Sequence, residues 1–280
     1  MSVHSYTLKA QTFSVVKAMD KSSTQLSINR HELLSFVLPN QYAQCFDTSQ
    51  VHPKFSQEMI RHLAADSLDF DPRAFHQLAR TLLQESFDIE SYMTQVVSGA
   101  AMVLGEWWAC DRISISAVRL GANRLTELIY ELADQRVKST QKPFNPYKAL
   151  IAAPKDSQHT LGINVAAEIF HLHGWEVTSG PLLTLDMAPD MLAEEHFDLL
   201  GVTLSLDRDL LMGHKYISQC RKVSRNKDLV VVVGGTQAFL RPNLAKEVNA
   251  DFAATNASHA QEYAMSLMTR IRTRTQFEQG

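Results

Sequence analysis

Five short apolar runs in the second half of the chain constrain its fold more than any other feature. They are ALIAA, WEVTS, DLLGVTL, LVVVVGG and DFAAT, and each has the length of a β-strand. Segments with helical spacing separate the runs, among them AFLRPNLAKEV, which we predict as one helix, and a long one, ASHAQEYAMSLMTRIR, follows the last run. Strands that alternate with helices pair in parallel, with helices on both faces of the sheet. We therefore predict an α/β domain over residues 147–275, with a five-stranded parallel, doubly wound, Rossmann-like sheet.

The first half of the chain has a different period. Between residues 51 and 140 the apolar residues recur at helical spacing, which predicts a bundle of about four helices. In one of these helices, which Ser114 or Ser116 would cap, an apolar stripe is formed by Val118, Ala122, Leu125, Leu128, Ile129 and Leu132. Residues 1–50 form an N-terminal extension whose structure the pattern does not predict. Two prolines, Pro143 and Pro146, predict a linker near residues 139–147.

Composition and charge exclude several classes of protein. The net charge of −3 provides no general attraction to DNA or acidic membranes, so we expect no direct sequence-specific DNA binding. Cys45, Cys110 and Cys220 lie far apart, which is evidence against a disulfide scaffold or a structural zinc site. The N-terminus has no apolar signal core, and no run of 18 uncharged apolar residues occurs. We therefore expect a cytoplasmic protein.

Several polar residues and glycines come directly after predicted strands. Ligands of parallel sheets bind beyond the carboxyl ends of the strands, which places at one edge His159, Thr203, Ser205, Gly234, Gly235 and Asn256. His159 is flanked by Asp156, Ser157 and Gln158, which could orient its ring as they would for a ligand. The simplest alternative is a solvated loop histidine.

Three other kinds of site fit this edge less well. A nucleophilic triad fits poorly, because the sequence has no serine or cysteine in a sharp turn of the Gly-x-Ser-x-Gly type. A zinc site fits poorly as well, because His159, His171 and His173 do not have the spacing of zinc ligands. The paired glycines of VVVGGTQAF lack the lysine of a phosphate-binding loop. Those glycines instead indicate that something large lies close to the backbone.

Four segments in this order, DSQHTLG, GVTLSL, VVVGGTQAF and NADFAATNASHA, resemble the cobalamin-binding Rossmann-type domain. Its signature is D-x-H-x-x-G, then S-x-L, then G-G, and the resemblance covers residues 147–273. It implies that His159 replaces dimethylbenzimidazole as the lower axial ligand of the cobalt in cobalamin. It also implies that the nucleotide tail enters the sheet, and that the cofactor contacts Asp156, Ser157, Gln158, Leu161, Gly162, Thr203, Ser205, Gly234, Gly235, Thr236 and Asn256.

The helical segment resembles the cap of light-sensing cobalamin regulators, which has the pattern W-x9-E-H. This resemblance implies that Trp108 covers the upper face of cobalt, although Val118 and Arg119 occupy the Glu-His positions. A second departure is Ser157, which stands where the signature has aspartate. In methyl-carrying members that carboxylate hydrogen-bonds the imidazole, so both departures favour a sensor.

This combination most resembles the AerR/PpaA group of cobalamin-binding antirepressors of photosynthetic bacteria. The resemblance implies a light- or redox-responsive transcriptional regulator of photopigment genes that is not an enzyme. Such a protein binds hydroxocobalamin or adenosylcobalamin and contacts a repressor of the PpsR/CrtJ type. Two alternatives stay open: the corrinoid methyl-carrier subunit of a methyltransferase, and a haem-binding sensor with the same fold.

Overall fold

A computed structural model describes residues 55–69, 73, 77, 88–139, 147–155, 157, 160–180 and 182–278. The predicted N-terminal extension, residues 1–50, lies outside the described residues, as do residues 140–146 of the predicted linker. The chain divides into two compact units. The helical unit is Met1–Phe87 with Gln95–Leu128, and the α/β unit is Asp88–Thr94 with Ile129–Gly280.

Four described helices precede the sheet. Helix α1 spans Gln57–Asp66, α2 Ile89–Ser91, α3 Ser98–Ala109 and α4 Ile115–Ser139, and a π-helical turn, Tyr92–Val97, joins α2 to α3. Ser114 begins α4, because its hydroxyl accepts the backbone N–H of Ala117 at 3.1 Å. Within the predicted bundle, Arg73 and Gln77 are also described, and both are helical.

The core of the helical unit lies between α1, α3 and the first part of α4. Leu63 and Leu104 are fully buried there, and a Cβ added to Gly121 would lie 2.6 Å from Leu104 Cδ1, so α4 approaches α3 closely. The buried guanidinium of Arg124 donates to the Ser67 carbonyl oxygen at 3.0 Å. Four residues of the predicted apolar stripe of α4 are fully buried: Leu125 and Leu128 in the helical unit, and Ile129 and Leu132 in the part of α4 that belongs to the α/β unit.

Five parallel strands of the α/β unit form one sheet. Strand β1 spans Lys148–Ala152, β2 Glu176–Thr178, β3 Leu199–Thr203, β4 Val230–Gly234 and β5 Phe252–Ala253. Their order across the sheet is β2-β1-β3-β4-β5, and every neighbouring pair is parallel. The prediction of a five-stranded parallel α/β sheet is therefore confirmed.

Helices cover both faces of this sheet. Helix α5 spans Leu161–Leu172, α6 Ala188–Glu194, α7 Asp207–Val223, α8 Thr236–Leu240, α9 Leu244–Glu247 and α10 Ala257–Glu278. One core contains Leu192 of α6 and Ile217 of α7, whereas the opposite core contains Ile163 of α5 and Ala264 of α10. The segment predicted as one helix, AFLRPNLAKEV, covers the end of α8 and all of α9, because Pro242 disfavours helical backbone at Arg241, which is extended.

Basic residues at the end of α7 bind backbone carbonyl groups. Arg221 donates to the carbonyl oxygens of Asn249 and Leu229 and forms an ion pair with Asp251. Lys227 donates to the carbonyl oxygen of Ser224 at 2.8 Å. These contacts lie at the amino edge of the sheet, since Leu229 and Asp251 directly precede β4 and β5. None of the helices in the described part of the chain is long and apolar enough to cross a membrane.

Candidate cofactor site

The predicted site residues after β3 and β4 lie side by side at the carboxyl edge of the sheet. Thr203 pairs with Gly234 in the parallel register, and the Leu204 N–H donates to the Gly234 carbonyl oxygen at 2.9 Å. Ser205 follows on the β3 side, and Gly235 and Thr236 follow on the β4 side, where Thr236 begins α8. The sheet thus brings together these parts of the predicted site.

The histidine-bearing segment starts at the same edge. His159, Asp156 and Gln158 lie outside the described residues, so their contacts stay predictions. Ala153, which directly follows β1, bridges to Thr184 and accepts the Leu185 N–H at 2.7 Å. Half-buried Ser157 lies between this point and α5, which begins with Leu161 and Gly162.

The backbone of Ser205 is fixed by two buried side chains. The Asp209 carboxylate, on the first turn of α7, accepts the N–H of Ser205 at 3.0 Å and that of Leu206 at 2.8 Å. On the other side, the Gln237 amide Nε2 donates to the Ser205 carbonyl oxygen at 3.2 Å. Asp209 is 6% exposed and Gln237 is 3% exposed, so both hydrogen bonds are shielded from water.

A salt-bridged arginine supports Gln237. Arg241 Nε donates to Gln237 Oε1 at 2.9 Å, and its two terminal nitrogens contact Asp207 at 3.1 Å and Glu247 at 3.2 Å. The hydrogen bond to Asp207 is the main cause that raises the pKa of Arg241 above its usual value, and the charge of Glu247 adds to it. The guanidinium is therefore always a cation and always a donor.

The Ser205 hydroxyl is available to a ligand. Ser205 is 3% exposed, and its N–H and carbonyl groups bind Asp209 and Gln237, yet among the described residues its hydroxyl makes no hydrogen bond. Among the described side chains, this hydroxyl is not one of the fully buried polar atoms that lack a partner, so water or a ligand atom can reach it and accept its proton. This hydroxyl therefore fits the hydrogen-bonding nucleotide tail that the cobalamin resemblance implies.

Two of the three glycines at this edge leave space for a Cβ that no described residue fills. Gly235 has a φ of 87°, and a Cβ there would lie 2.5 Å from the Leu204 carbonyl oxygen, so the close approach of β3 and β4 requires glycine. At Gly234 a Cβ would meet the Ala254 carbonyl oxygen at an ordinary 3.5 Å, and at Gly162 it would meet nothing within 4 Å. The space beside Gly162 and Gly234 can admit a ligand, and a cofactor contact of Gly235 stays a prediction.

Two further predicted site residues, Asn256 and Trp108, lie outside the loops that follow β3 and β4. Asn256 follows β5 and caps α10, because its Oδ1 accepts the His259 N–H at 2.8 Å. Its Nδ2 lies 3.2 Å from His259 Nδ1. Trp108 lies in α3 of the helical unit, where it is half-buried. The proposed cofactor contacts of both residues stay predictions.

Sequence reasoning did not find Asp209, Gln237 and Arg241. One signal was present, since an aspartate in the first turn of a helix commonly accepts backbone N–H groups at the helix start. The amide and the arginine carried no such local signal, because Gln237 meets Ser205 across 32 residues and Arg241 meets Asp207 across 34. Only the pairing of β3 with β4 brings these residues together.

Comparison with known proteins identifies the fold. No protein-family model and no curated protein matches the chain. Its structure is similar to that of the monomethylamine corrinoid protein from Methanosarcina barkeri, with a TM-score of 0.62, 15% sequence identity, and coverage of 75% of this chain and 99% of that chain.

Two other solved structures match with lower scores. A novel cobalamin-binding protein from Desulfitobacterium hafniense DCB-2 has a TM-score of 0.41 at 17% identity, over 74% of this chain and 98% of that chain. A chain of the methanol:cobalamin methyltransferase complex MtaBC from Methanosarcina barkeri has a TM-score of 0.39 at 14% identity, over 90% and 92%. These two scores support no conclusion about the chain. The first similarity establishes the fold alone: the chain has the architecture of the monomethylamine corrinoid protein.

Proposed function

We propose that the α/β unit binds cobalamin at the carboxyl edge of its sheet and that the protein is a cobalamin-dependent light or redox regulator. The observation that carries the binding proposal is the hydroxyl of Ser205, which no described residue uses, at the edge where Gly234 also lies. Ser205 would donate to a ring nitrogen of the nucleotide base, and Thr203 and Gly234 would line the path of the tail. When bound, the cofactor would supply a cobalt–ligand bond that is sensitive to light and to oxidation state.

His159 is the proposed lower ligand of cobalt. Its segment leaves the sheet at Ala153, which the Thr184 bridge holds at the carboxyl edge, and ends where α5 begins at Leu161. Strand β1 is a direct neighbour of β3, so this short segment starts beside the strand that carries Ser205 into its loop. An imidazole at this edge would reach the same ligand as the Ser205 hydroxyl.

The regulatory proposal depends on the residues that replace the expected charged groups. Ser157 stands two positions before His159, and its uncharged hydroxyl cannot manage the imidazole proton as a carboxylate does in a turnover cycle. Val118 and Arg119 stand at the Glu-His positions of the cap pattern. Bound cobalamin would stabilise the conformation that encloses it, and we propose that this conformation binds a PpsR/CrtJ-type repressor as an antirepressor.

A corrinoid methyl carrier is the second candidate. The fold similarity to the monomethylamine corrinoid protein favours it, because that protein carries a corrinoid on the same architecture. A methyl carrier must hold reduced cobalt and accept a methyl group from a partner enzyme, whereas a regulator needs neither property. A haem-binding sensor, the third candidate, would show a Soret band in place of a corrinoid spectrum.

The test is an ultraviolet-visible spectrum of the protein incubated with hydroxocobalamin or adenosylcobalamin, in the dark and after illumination. The variants are His159→Ala and, as a control at the opposite edge, His196→Ala, whose ring contacts Asp198 just before β3. We expect wild type and His196→Ala to retain corrinoid with the same spectrum and His159→Ala to show a different one. Failure of wild type to retain either corrinoid would refute the binding proposal.

A second measurement separates regulator from carrier. We expect illumination of the adenosylcobalamin form to change its spectrum and its binding to the repressor, measured by co-purification of the two proteins. Methylation of the reduced, bound corrinoid by a methyltransferase partner would instead identify a carrier. A Soret band on the purified protein, without bound corrinoid, would identify a haem sensor.

A further inference from the structure

The amide of Gln237 can point in one direction only. Its side chain is 3% exposed and lies between Arg241 Nε and the Ser205 carbonyl oxygen. A guanidinium only donates, so the oxygen of the amide must face Arg241 and its nitrogen must face Ser205. The reverse orientation would oppose donor to donor and acceptor to acceptor in a buried place. Arg241 therefore sets the direction of the hydrogen bond that Ser205 receives.

This direction determines what Ser205 can offer. Its carbonyl oxygen accepts from Gln237 and its N–H donates to Asp209, so both backbone groups are used. The peptide is held from α8 on one side and from α7 on the other, which fixes the Cα–Cβ bond that carries the hydroxyl. The hydroxyl is the hydrogen-bonding group of Ser205 that remains for a ligand. Because the peptide is already fixed, the hydroxyl is preorganised, and binding does not have to pay the entropy of ordering it.

We propose that Gln237 and Arg241 are positioning residues that hold the Ser205 hydroxyl for the nucleotide tail of a corrinoid, so that this chain prefers a complete corrinoid to one without the tail. The inference rests on the proposed cobalamin binding and adds the source of selectivity. Neither side chain touches the cofactor in this scheme, because both act through the Ser205 peptide. Their effect must therefore depend on whether the ligand has a tail.

The test compares hydroxocobalamin with dicyanocobinamide, a corrinoid that lacks the nucleotide tail. Affinities of the full chain for both are measured by spectral titration in wild type and in Gln237→Met, which keeps the length of the side chain and removes both hydrogen bonds. We expect about tenfold weaker cobalamin binding in the variant, the usual effect of an unpaired buried polar group. Cobinamide affinity should stay within about twofold, because that ligand has no tail to place.

Two further variants locate the effect. Gln237→Glu keeps an acceptor for Arg241 but has no donor for the Ser205 carbonyl, so it should lose cobalamin affinity as Gln237→Met does. Arg241→Lys keeps the charge and loses the fork that contacts Gln237 and Asp207 together, so it should produce a smaller loss for cobalamin alone. The matched control is Arg221→Lys, an arginine with a similar set of contacts at the amino edge, which should change neither affinity.

The possible results are distinct. Equal losses for cobalamin and cobinamide in the Gln237 variants, or the same pattern in Arg221→Lys, would overturn the inference, because these side chains would then support only the fold. Wild-type protein that binds both corrinoids equally would overturn the selectivity while cobalamin binding stands. Wild-type protein that binds neither would refute the proposed function and the inference with it. Urea unfolding of each cofactor-free variant reports whether it folds.

Discussion

Alanine substitution should destabilise the fold at Gly235 and leave it nearly unchanged at the adjacent residue Gly234. At Gly235 the alanine would keep a left-handed φ of 87°, which costs about 1–2 kcal/mol, and its Cβ would lie 2.5, 2.9 and 3.0 Å from three backbone atoms of Leu204. Backbone cannot move aside as a flexible side chain can, so a further 1–3 kcal/mol or so follows from the forced shift. The total loss in free energy of unfolding should be about 3 kcal/mol.

At Gly234 the same substitution should leave the fold intact. Its φ is not positive, and the added Cβ would make an ordinary contact, 3.5 Å from the Ala254 carbonyl oxygen. Loss of glycine also restricts the unfolded chain, which offsets any small native cost. We expect a change in free energy of unfolding within about 0.5 kcal/mol. The methyl group would, however, occupy the space proposed for the cofactor tail, so cobalamin binding should be lost.

Urea unfolding of the cofactor-free protein, followed by circular dichroism, measures the first effect. With a slope of about 2 kcal/mol/M, the expected loss at Gly235 lowers the midpoint by about 1.5 M, whereas the midpoint of Gly234→Ala stays near that of wild type. Spectral titration with hydroxocobalamin measures the second effect. Equal midpoints for the two variants would refute the backbone reasoning, and wild-type cobalamin affinity in Gly234→Ala would remove Gly234 from the site.

Three other results are expected. Gly162→Ala should raise the stability of the cofactor-free protein by about 0.5–1 kcal/mol in thermal unfolding, because alanine favours the helix, and should weaken cobalamin binding; unchanged binding would leave Gly162 outside the site. Burial raises the pKa of the Cys220 thiol to about 12, so in a Cys45→Ser, Cys110→Ser background DTNB should react at pH 8 only after unfolding, and rapid native reaction would contradict this. Burial also raises the pKa of Asp66 from 3.8, so its protonated form stabilises the fold below pH 3.8 and this contribution is lost as pH rises through the native pKa. Asp66→Asn should therefore raise the urea midpoint at pH 7 and not at pH 3.5, and an equal effect at both would refute the assignment.

The sheet was predictable because its signals are local. Each strand is a short apolar run, each crossover has helical spacing, and parallel pairing follows from the alternation alone. The prediction failed at one helix, where AFLRPNLAKEV covers the end of α8 and all of α9. Apolar spacing continues through Pro242, but a proline restricts the backbone of the residue before it, and Arg241 is extended as a result.

The set of chain segments that belong to the α/β unit was less predictable, because it depends on contacts between distant segments. Residues 88–94 belong to this unit, and His173 Nε2 lies 2.8 Å from Glu90 Oε2 across 83 positions. Residues 129–139 belong to it as well, and the Tyr130 hydroxyl lies 3.3 Å from Asn164 Oδ1. The periodicity of these helical segments is that of the rest of the predicted bundle, so it does not indicate which segments pack beside α5.

We expect the groups around Ser205 to favour cobalamin over haem as the cofactor. A haem propionate needs a cation or several free N–H donors at its binding site. In the described part of this loop the N–H groups of Ser205 and Leu206 already bind Asp209, and the guanidinium of Arg241 already binds Asp207 and Glu247. The Ser205 hydroxyl is uncharged, which suits an uncharged acceptor such as a benzimidazole nitrogen, whereas the neighbouring cation Arg208 is exposed on the first turn of α7. This reasoning requires that Ser205→Ala retains its fold and loses the preference for hydroxocobalamin over dicyanocobinamide in spectral titrations.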